Sequence, residues 1–189
     1  MADHWDVGLV EGHSMIPAVT VDDYGVPSNL MGTHHKDFFA LLGRIVALSA
    51  SLENHVLVVY QSLVGAAQNE HTNVPVGKLL ERCRKELHRL EGRPSDRQLV
   101  EIFLSKAEAI IERRNHYVHN LWPAQPGGRL FGWRPPREKG AQEAITIEAT
   151  LPEMHNDLAS LVDLLDSRYW HRLLSVVSST KSYGAPAGQ

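Results

Sequence analysis

The stretch FFALLGRIVALSASLENHVLVVYQSL, residues 38–63, decides the fold class of this chain. Its apolar side chains recur every three or four positions, which is the spacing of one face of an α-helix. This stripe consists of Phe38, Leu42, Ile45, Ser49, Leu52, Val56, Val59 and Leu63. Upstream, Thr33 is the predicted N-cap, and Asp37 places a negative charge in the first turn, where the helix dipole favours it. The pattern predicts one long amphipathic helix over about 36–67.

Two further helical patterns follow. The second helix is expected to end at Gly92-Arg93-Pro94, and its apolar side is formed by Leu79, Leu80, Cys83, Leu87 and Leu90. Ser95 and Gln98 fit a capping box at the start of a third helix over about 96–121. The apolar stripe of this third helix comprises Phe103, Ala107, Ile110, Arg114, Tyr117 and Leu121.

The remaining sequence combines a β-hairpin with a last helix. Residues 129–134 and 144–149 are predicted to be two short strands, in a region rich in proline and glycine. Thr150 and Glu153 form a second capping box. One helix is expected after it, with an inward side made of Leu158, Leu161, Leu165, Tyr169, Leu173 and Val176.

The expected fold class is all-α. We predict an antiparallel helical bundle of four main helices, with a short β-hairpin at about 129–149 inserted before the last helix. Residues 1–32 contain scattered glycine and proline without a sustained period, so an irregular N-terminal arm is expected there. The bundle is expected to occupy 33–178, and residues 179–189 to form a flexible tail.

Composition limits the function classes. The chain has 189 residues, of which 43% are hydrophobic, and a net charge of -3, which fits one globular domain without a general affinity for polyanions. Cys83 is the only cysteine, so an intramolecular disulfide and a cysteine-rich zinc module are excluded. The N-terminus has no signal-peptide pattern, and no apolar run is expected to reach the ~18 residues of a membrane helix. We therefore expect a cytoplasmic protein without membrane association.

An unusual set of polar residues ends the third helix. Arg114 occupies a position of the apolar stripe, although arginine is almost never buried without a partner. Asn115 and His119 lie four residues apart and share one face of the helix. Arg114 and His119 lie about 140° apart around an ideal helix. A fixed cation, an amide and a titratable imidazole thus come within about two helical turns.

The pattern Arg114-Asn-x-x-x-His119 near the end of a helix resembles the signature of HEPN domains, the higher-eukaryote and prokaryote nucleotide-binding bundles. The long first helix and the hairpin before the last helix are similar to that family as well. Many HEPN proteins are metal-independent endoribonucleases of toxin–antitoxin or antiviral defence systems. The resemblance implies RNA cleavage through the RNA's own 2′-OH, no cofactor, and a composite site at a homodimer interface.

The resemblance also implies the catalytic roles. His119 would be the general acid or base, Arg114 would bind the scissile phosphate, and Asn115 would orient His119 or the substrate. An antitoxin or another regulatory protein acting in trans is the expected regulator. In toxins silenced by a nucleotidyltransferase, the modified tyrosine lies two residues after the motif histidine. Leu121 occupies that position here, which argues against this form of control.

Three residues are candidates for supporting roles at this site. Glu53 lies at the shoulder of the first helix's apolar stripe, and we predict that it pairs with Arg114. The alternative is that Glu53 is solvated at the edge of the stripe. His116 and Tyr117 belong to the motif segment itself, and Tyr117 is expected to be part of the core stripe.

A basic and aromatic set near the hairpin is a candidate RNA-binding surface. It consists of Arg113, Arg129, Trp133 and Arg134, which would combine phosphate contacts with base stacking. The alternative is a solvated hairpin whose aromatic side chains cover the end of the bundle.

Other function classes stay open. One is a HEPN-like bundle that binds RNA, a nucleotide or a partner protein without cleavage, and another is a plain helical dimerisation module. No metal site is predicted, because His116 and His119 have no acidic partner at the spacing found in bundle metal sites.

Overall fold

The computed structural model describes residues 21, 23–27, 34–89, 93–120, 122, 130–134 and 145–179. Over these residues the chain is mostly helical, as the sequence predicts, with a small two-stranded antiparallel sheet. The elements are α1 (Lys36–Val64), α2 (Val76–Arg89), α3 (Pro94–His119), β1 (Leu130–Arg134), β2 (Ile145–Ala149), α4 (Leu151–Leu164) and α5 (Ser167–Ser179). Most of the predicted arm at 1–32 and the predicted tail after residue 179 lie outside the described residues.

α1 is the helix against which the other four described helices pack. His35 caps its start, since Nδ1 of His35 accepts a hydrogen bond from the Asp37 amide at 3.3 Å. The predicted cap, Thr33, lies outside the described residues. α1 ends at Val64 and is capped by Gly65, whose φ of 75° is the left-handed conformation that glycine adopts without strain. The buried residues of α1 are Phe38, Leu41, Ile45, Ser49, Leu52, Val56, Val59, Tyr60, Gln61 and Leu63.

α1 is also long and apolar enough to cross a membrane, with a mean hydropathy of 1.3 over its most apolar 18 residues. The expectation that no segment reaches this apolarity is therefore wrong. The central helix of a folded domain has the same profile, and α1 contributes core residues from Phe38 to Leu63. The profile arises because α1 carries apolar side chains on its exposed side as well as on its buried side.

Cys83 belongs to the core on the α2 side of α1. The side chain is fully buried, and its Sγ lies 4.0 Å from the carbonyl oxygen of the equally buried Val56. Burial raises the pKa of the Cys83 thiol to about 12, because a thiolate would lose its hydration there. The thiol therefore stays protonated and packs as a small apolar residue.

The predicted last helix is in fact two helices. α4 ends at Leu164 and α5 begins at Ser167. Between them, Oδ1 of Asp166 accepts hydrogen bonds from the amides of Arg168 at 2.9 Å and Tyr169 at 3.1 Å. An aspartate that satisfies the first amides of a new helix competes with continuation of the old one, which explains the break.

The two predicted capping boxes have different outcomes. At the start of α4, the Thr150 hydroxyl accepts from the Glu153 amide at 3.2 Å, and the Glu153 carboxylate accepts from the Thr150 amide at 2.7 Å. This box is confirmed. The box predicted at Ser95 is wrong, because α3 begins at Pro94 and places Ser95 inside the first turn. Proline suits the first helical turn, where its missing N–H costs nothing.

The predicted hairpin is confirmed, since β1 and β2 pair antiparallel with Leu130 opposite Ala149. The middle of β1 packs against Trp122, and a Cβ at Gly132 would lie 2.9 Å from the Trp122 ring. Only glycine leaves room for the indole at this point. Nε1 of Trp122 donates to the Tyr117 carbonyl at 2.8 Å, so the hairpin is held at the C-terminal end of α3.

Thr150→Ala should lower the free energy of unfolding by about 1 kcal/mol, because it removes the side-chain acceptor of the α4 capping box. Urea unfolding followed by circular dichroism measures the change. Ser95→Ala is the matched control: Ser95 is exposed and does not cap α3, so we expect a change within about 0.5 kcal/mol. Equal losses in the two variants would contradict this assignment of the caps.

Candidate functional site

The HEPN-like motif occupies the last two turns of α3. Arg114, Asn115 and His116 are half-buried, whereas His119, the last residue of the helix, is exposed. Arg114 is turned toward α1, where it meets Glu53. Because Arg114 and His119 lie about 140° apart on an ideal helix, α3 alone does not direct them at one point.

The ion pair between Arg114 and Glu53 joins α3 to α1. Nη2 of Arg114 contacts Oε1 of Glu53, so the contact predicted from the sequence is confirmed. The two side chains are only 20% and 36% exposed, respectively, so solvent screens the pair less than a surface salt bridge. Burial lowers the pKa of the Arg114 guanidinium, but arginine stays protonated in proteins. Nε of Arg114 is buried and has no hydrogen-bond partner among the described residues.

Asp157 of α4 is a site residue that the sequence analysis missed. It is 6% exposed, and its two oxygens bind two residues of α3. Oδ1 lies 2.5 Å from Nε of Arg113, and Oδ2 accepts a hydrogen bond from the Tyr117 hydroxyl at 2.7 Å. Burial, and then the bond to Asp157, raise the pKa of Tyr117, which therefore stays a neutral donor.

A cavity of about 330 Å³ lies beside Asp157, between the end of α3, β2 and the start of α4. Arg113, His116, Glu148 and Glu153 line it together with Asp157. Three carboxylates thus face one arginine, and that arginine is already bound to Asp157. The excess negative charge disfavours a phosphate in this cavity.

The other predicted RNA-binding residues have mixed outcomes. Arg129 and the side chain of Arg134 lie outside the described residues. Trp133 is 39% exposed and shares one face of β1 with Phe131, which is 38% exposed. Trp122, which lies just after α3, packs inward against Phe38.

Metal binding has no support in the part of the chain that the structure describes. There, no three His, Cys, Asp or Glu side chains come close enough together to hold a metal ion. His116 lines the cavity at Asp157, whereas His119 is exposed at the end of α3.

Comparison with family models, with curated proteins and with solved structures gave no match for this chain. The resemblance to HEPN domains therefore depends on the motif and on the order of the elements.

Glu53→Ala should lower the free energy of unfolding by about 1–2 kcal/mol, because it leaves a half-buried Arg114 without its charge partner. Urea unfolding of Glu53→Ala, Arg114→Ala and the double variant should give a coupling energy of about 1 kcal/mol. The control is Glu81→Ala, which removes the exposed partner of Lys85 on α2 and should leave stability unchanged. A coupling energy near zero for Glu53 and Arg114 would show that the pair contributes nothing.

Proposed function

We propose that this chain is a HEPN-type, metal-independent endoribonuclease of the toxin or defence type, with its helices arranged as an antiparallel bundle. The single observation that carries the proposal is the motif Arg114-Asn115-x-x-x-His119 on the last two turns of α3, next to an acidic residue that holds its arginine. RNA is the substrate under this proposal, and the expected setting is the cytoplasm, with an antitoxin or other regulator in trans.

The proposed chemistry needs only the side chains of the motif. His119 takes the proton from the ribose 2′-OH as the 2′-oxygen bonds to phosphorus. The bond between phosphorus and the 5′-oxygen then breaks, and the protonated imidazole gives its proton to the leaving 5′-oxygen. The products are a 2′,3′-cyclic phosphate and a 5′-hydroxyl. Glu53 engages Nη2 of Arg114, which leaves Nη1 to stabilise the added negative charge on the phosphate. Asn115 shares the face of His119 and orients it or the substrate.

A homodimer would complete such a site, and the exposed side of α1 supports this part of the proposal. Five exposed apolar or small residues follow one another on it at helical spacing: Phe39, Gly43, Val46, Ala47 and Ala50. We call them the α1 outer face. Glu53 lies one turn after Ala50, and on α3 the exposed Val118 lies one turn after Arg114. An apolar surface that adjoins the motif suits a two-fold interface that brings two motifs together.

A second candidate function has its own supporting observation. Arg114 is bound to Glu53, and its Nε is buried. An arginine held in this way serves packing as well as it serves catalysis. The alternative is therefore a HEPN-like module that binds RNA, a nucleotide or a partner protein without cleaving it.

His119→Ala and Arg114→Ala should each reduce cleavage of a single-stranded RNA by at least about a hundredfold, because each removes a group that acts in the transition state. A fluorogenic RNA oligonucleotide in EDTA measures the rate, and size-exclusion chromatography checks that the fold and assembly are kept. A DNA oligonucleotide of the same sequence is the substrate control, since it lacks the 2′-OH. Rates within about tenfold of the unmodified chain would exclude a catalytic role.

Ala50→Arg should convert a dimer into a monomer and abolish cleavage, because it places a charge at the end of the α1 outer face nearest Glu53. Ser51→Arg is the matched control: Ser51 is the next exposed residue and points about 100° away around the helix. Sedimentation velocity measures the assembly state of both variants. Dimers of unchanged affinity in Ala50→Arg would show that the interface lies elsewhere.

A further inference from the structure

The end of α3 is held from two sides by carboxylates on different helices. On one side, Glu53 of α1 contacts Arg114. On the other, Asp157 of α4 binds Arg113 and Tyr117, which bracket Arg114 and Asn115 in the sequence. The proposed catalytic segment thus lies between two fixed negative charges that belong to separate elements.

Asp157 occupies a position where an apolar residue is expected. The buried residues of α4 are Met154, Asp157, Leu161 and Leu164, which follow the spacing of one helix face. Replacing a buried ion pair by apolar residues of similar size is often neutral or stabilising, so stability alone does not explain a carboxylate here. A carboxylate differs from an apolar side chain in that its contacts are directional. Each of its oxygens holds one hydrogen-bond donor at a defined distance.

The bonds of Asp157 constrain both the rotation and the axial position of α3. Arg113 and Tyr117 are four residues apart, so they lie one turn apart on the same face of α3. One carboxylate binds both, with Nε of Arg113 at 2.5 Å and the Tyr117 hydroxyl at 2.7 Å. Rotation of the helix, or a shift along its axis, would break at least one of these bonds.

The face held by Asp157 is nearly opposite the face that carries the proposed chemistry. Asn115 and His119 lie about 160° around the helix from Arg113 and Tyr117. Any rotation that releases the Asp157 contacts therefore turns Asn115 and His119 by the same angle on the other side.

We propose that Asp157 is a positioning residue, which sets the rotation of the last two turns of α3 and so the direction in which Asn115 and His119 face the substrate. The inference depends on the proposed ribonuclease function for its catalytic consequence. Asp157 itself touches no substrate and acts through Arg113 and Tyr117.

The test compares Asp157→Asn and Asp157→Leu in the full chain with Asp163→Asn, which changes an exposed aspartate of the same helix. Steady-state cleavage of a fluorogenic single-stranded RNA gives kcat and KM. Residual dipolar couplings of the backbone amides of 110–119 give the orientation of α3.

Asp157→Leu should lower kcat by about thirtyfold or more with KM changed less than about threefold, because binding groups remain while the catalytic face is turned. Asp157→Asn should recover part of the loss, since its carbonyl still accepts from Tyr117 although the charge beside Arg113 is gone. The couplings of 110–119 should change in Asp157→Leu, and Asp163→Asn should match the unmodified chain in every measurement. If Asp157→Leu does not fold, Asp157→Asn alone decides, with a lowered kcat and shifted couplings as the expected result.

Values of kcat within about twofold of the unmodified chain, or a loss fully accounted for by a smaller folded fraction, would overturn the proposal. If the unmodified chain cleaves no RNA, the proposed function fails and the couplings alone decide the role of Asp157. Unchanged couplings in the Asp157 variants would then overturn the positioning role of Asp157. A reorientation of α3 in these variants would support that role.

Discussion

Burial of one face of α1 is the interaction on which the rest of the described structure depends. The other four described helices all pack against α1, and three of them have only 13 or 14 residues. Helices of that length are marginal in water without tertiary contacts. Their stability therefore comes from packing against the apolar surface of α1. The hairpin in turn packs against Trp122, which is hydrogen-bonded to the end of α3.

Charge is used differently on the two sides of α3. On the side of α3 that faces α1, the cation Arg114 lies in an apolar stripe and pairs with the carboxylate of Glu53. This half-buried pair lies next to the exposed apolar residues of the α1 outer face. Toward α4, the buried group is the anion Asp157, balanced by a more exposed arginine and a tyrosine hydroxyl. Both arrangements satisfy the rule that buried charges need partners. Together they leave His119 as the exposed titratable group at the end of the helix.

Local patterns in the sequence predict the helices, the hairpin and the Thr150 capping box, because each depends on residues close together in the chain. The contact between Glu53 and Arg114 was predictable for a different reason: an arginine within an apolar stripe needs a polar partner, and Glu53 lies at the edge of the apolar stripe of α1. The sequence does not reveal Asp157, because the apolar pattern of α4 predicts Leu158 and Leu161 on the inward side, whereas the buried residues there include Met154, Asp157 and Leu161. An apolar pattern cannot assign Asp157 to the buried face, because the residue is polar and its partners Arg113 and Tyr117 lie 44 and 40 positions away in the chain.

The buried Cys83 has a practical consequence for experiments on assembly. It is the chain's only cysteine, and with a thiol pKa of about 12 it carries almost no thiolate near neutral pH. Maleimide and iodoacetamide reagents attack the thiolate, so we expect the buried Cys83 thiol to react with them slowly. A cysteine introduced at any exposed position can then be labelled selectively, without first removing the natural one. Spin labels or fluorophores placed in this way would show whether two copies of the chain associate as proposed, in a protein whose own core is left intact.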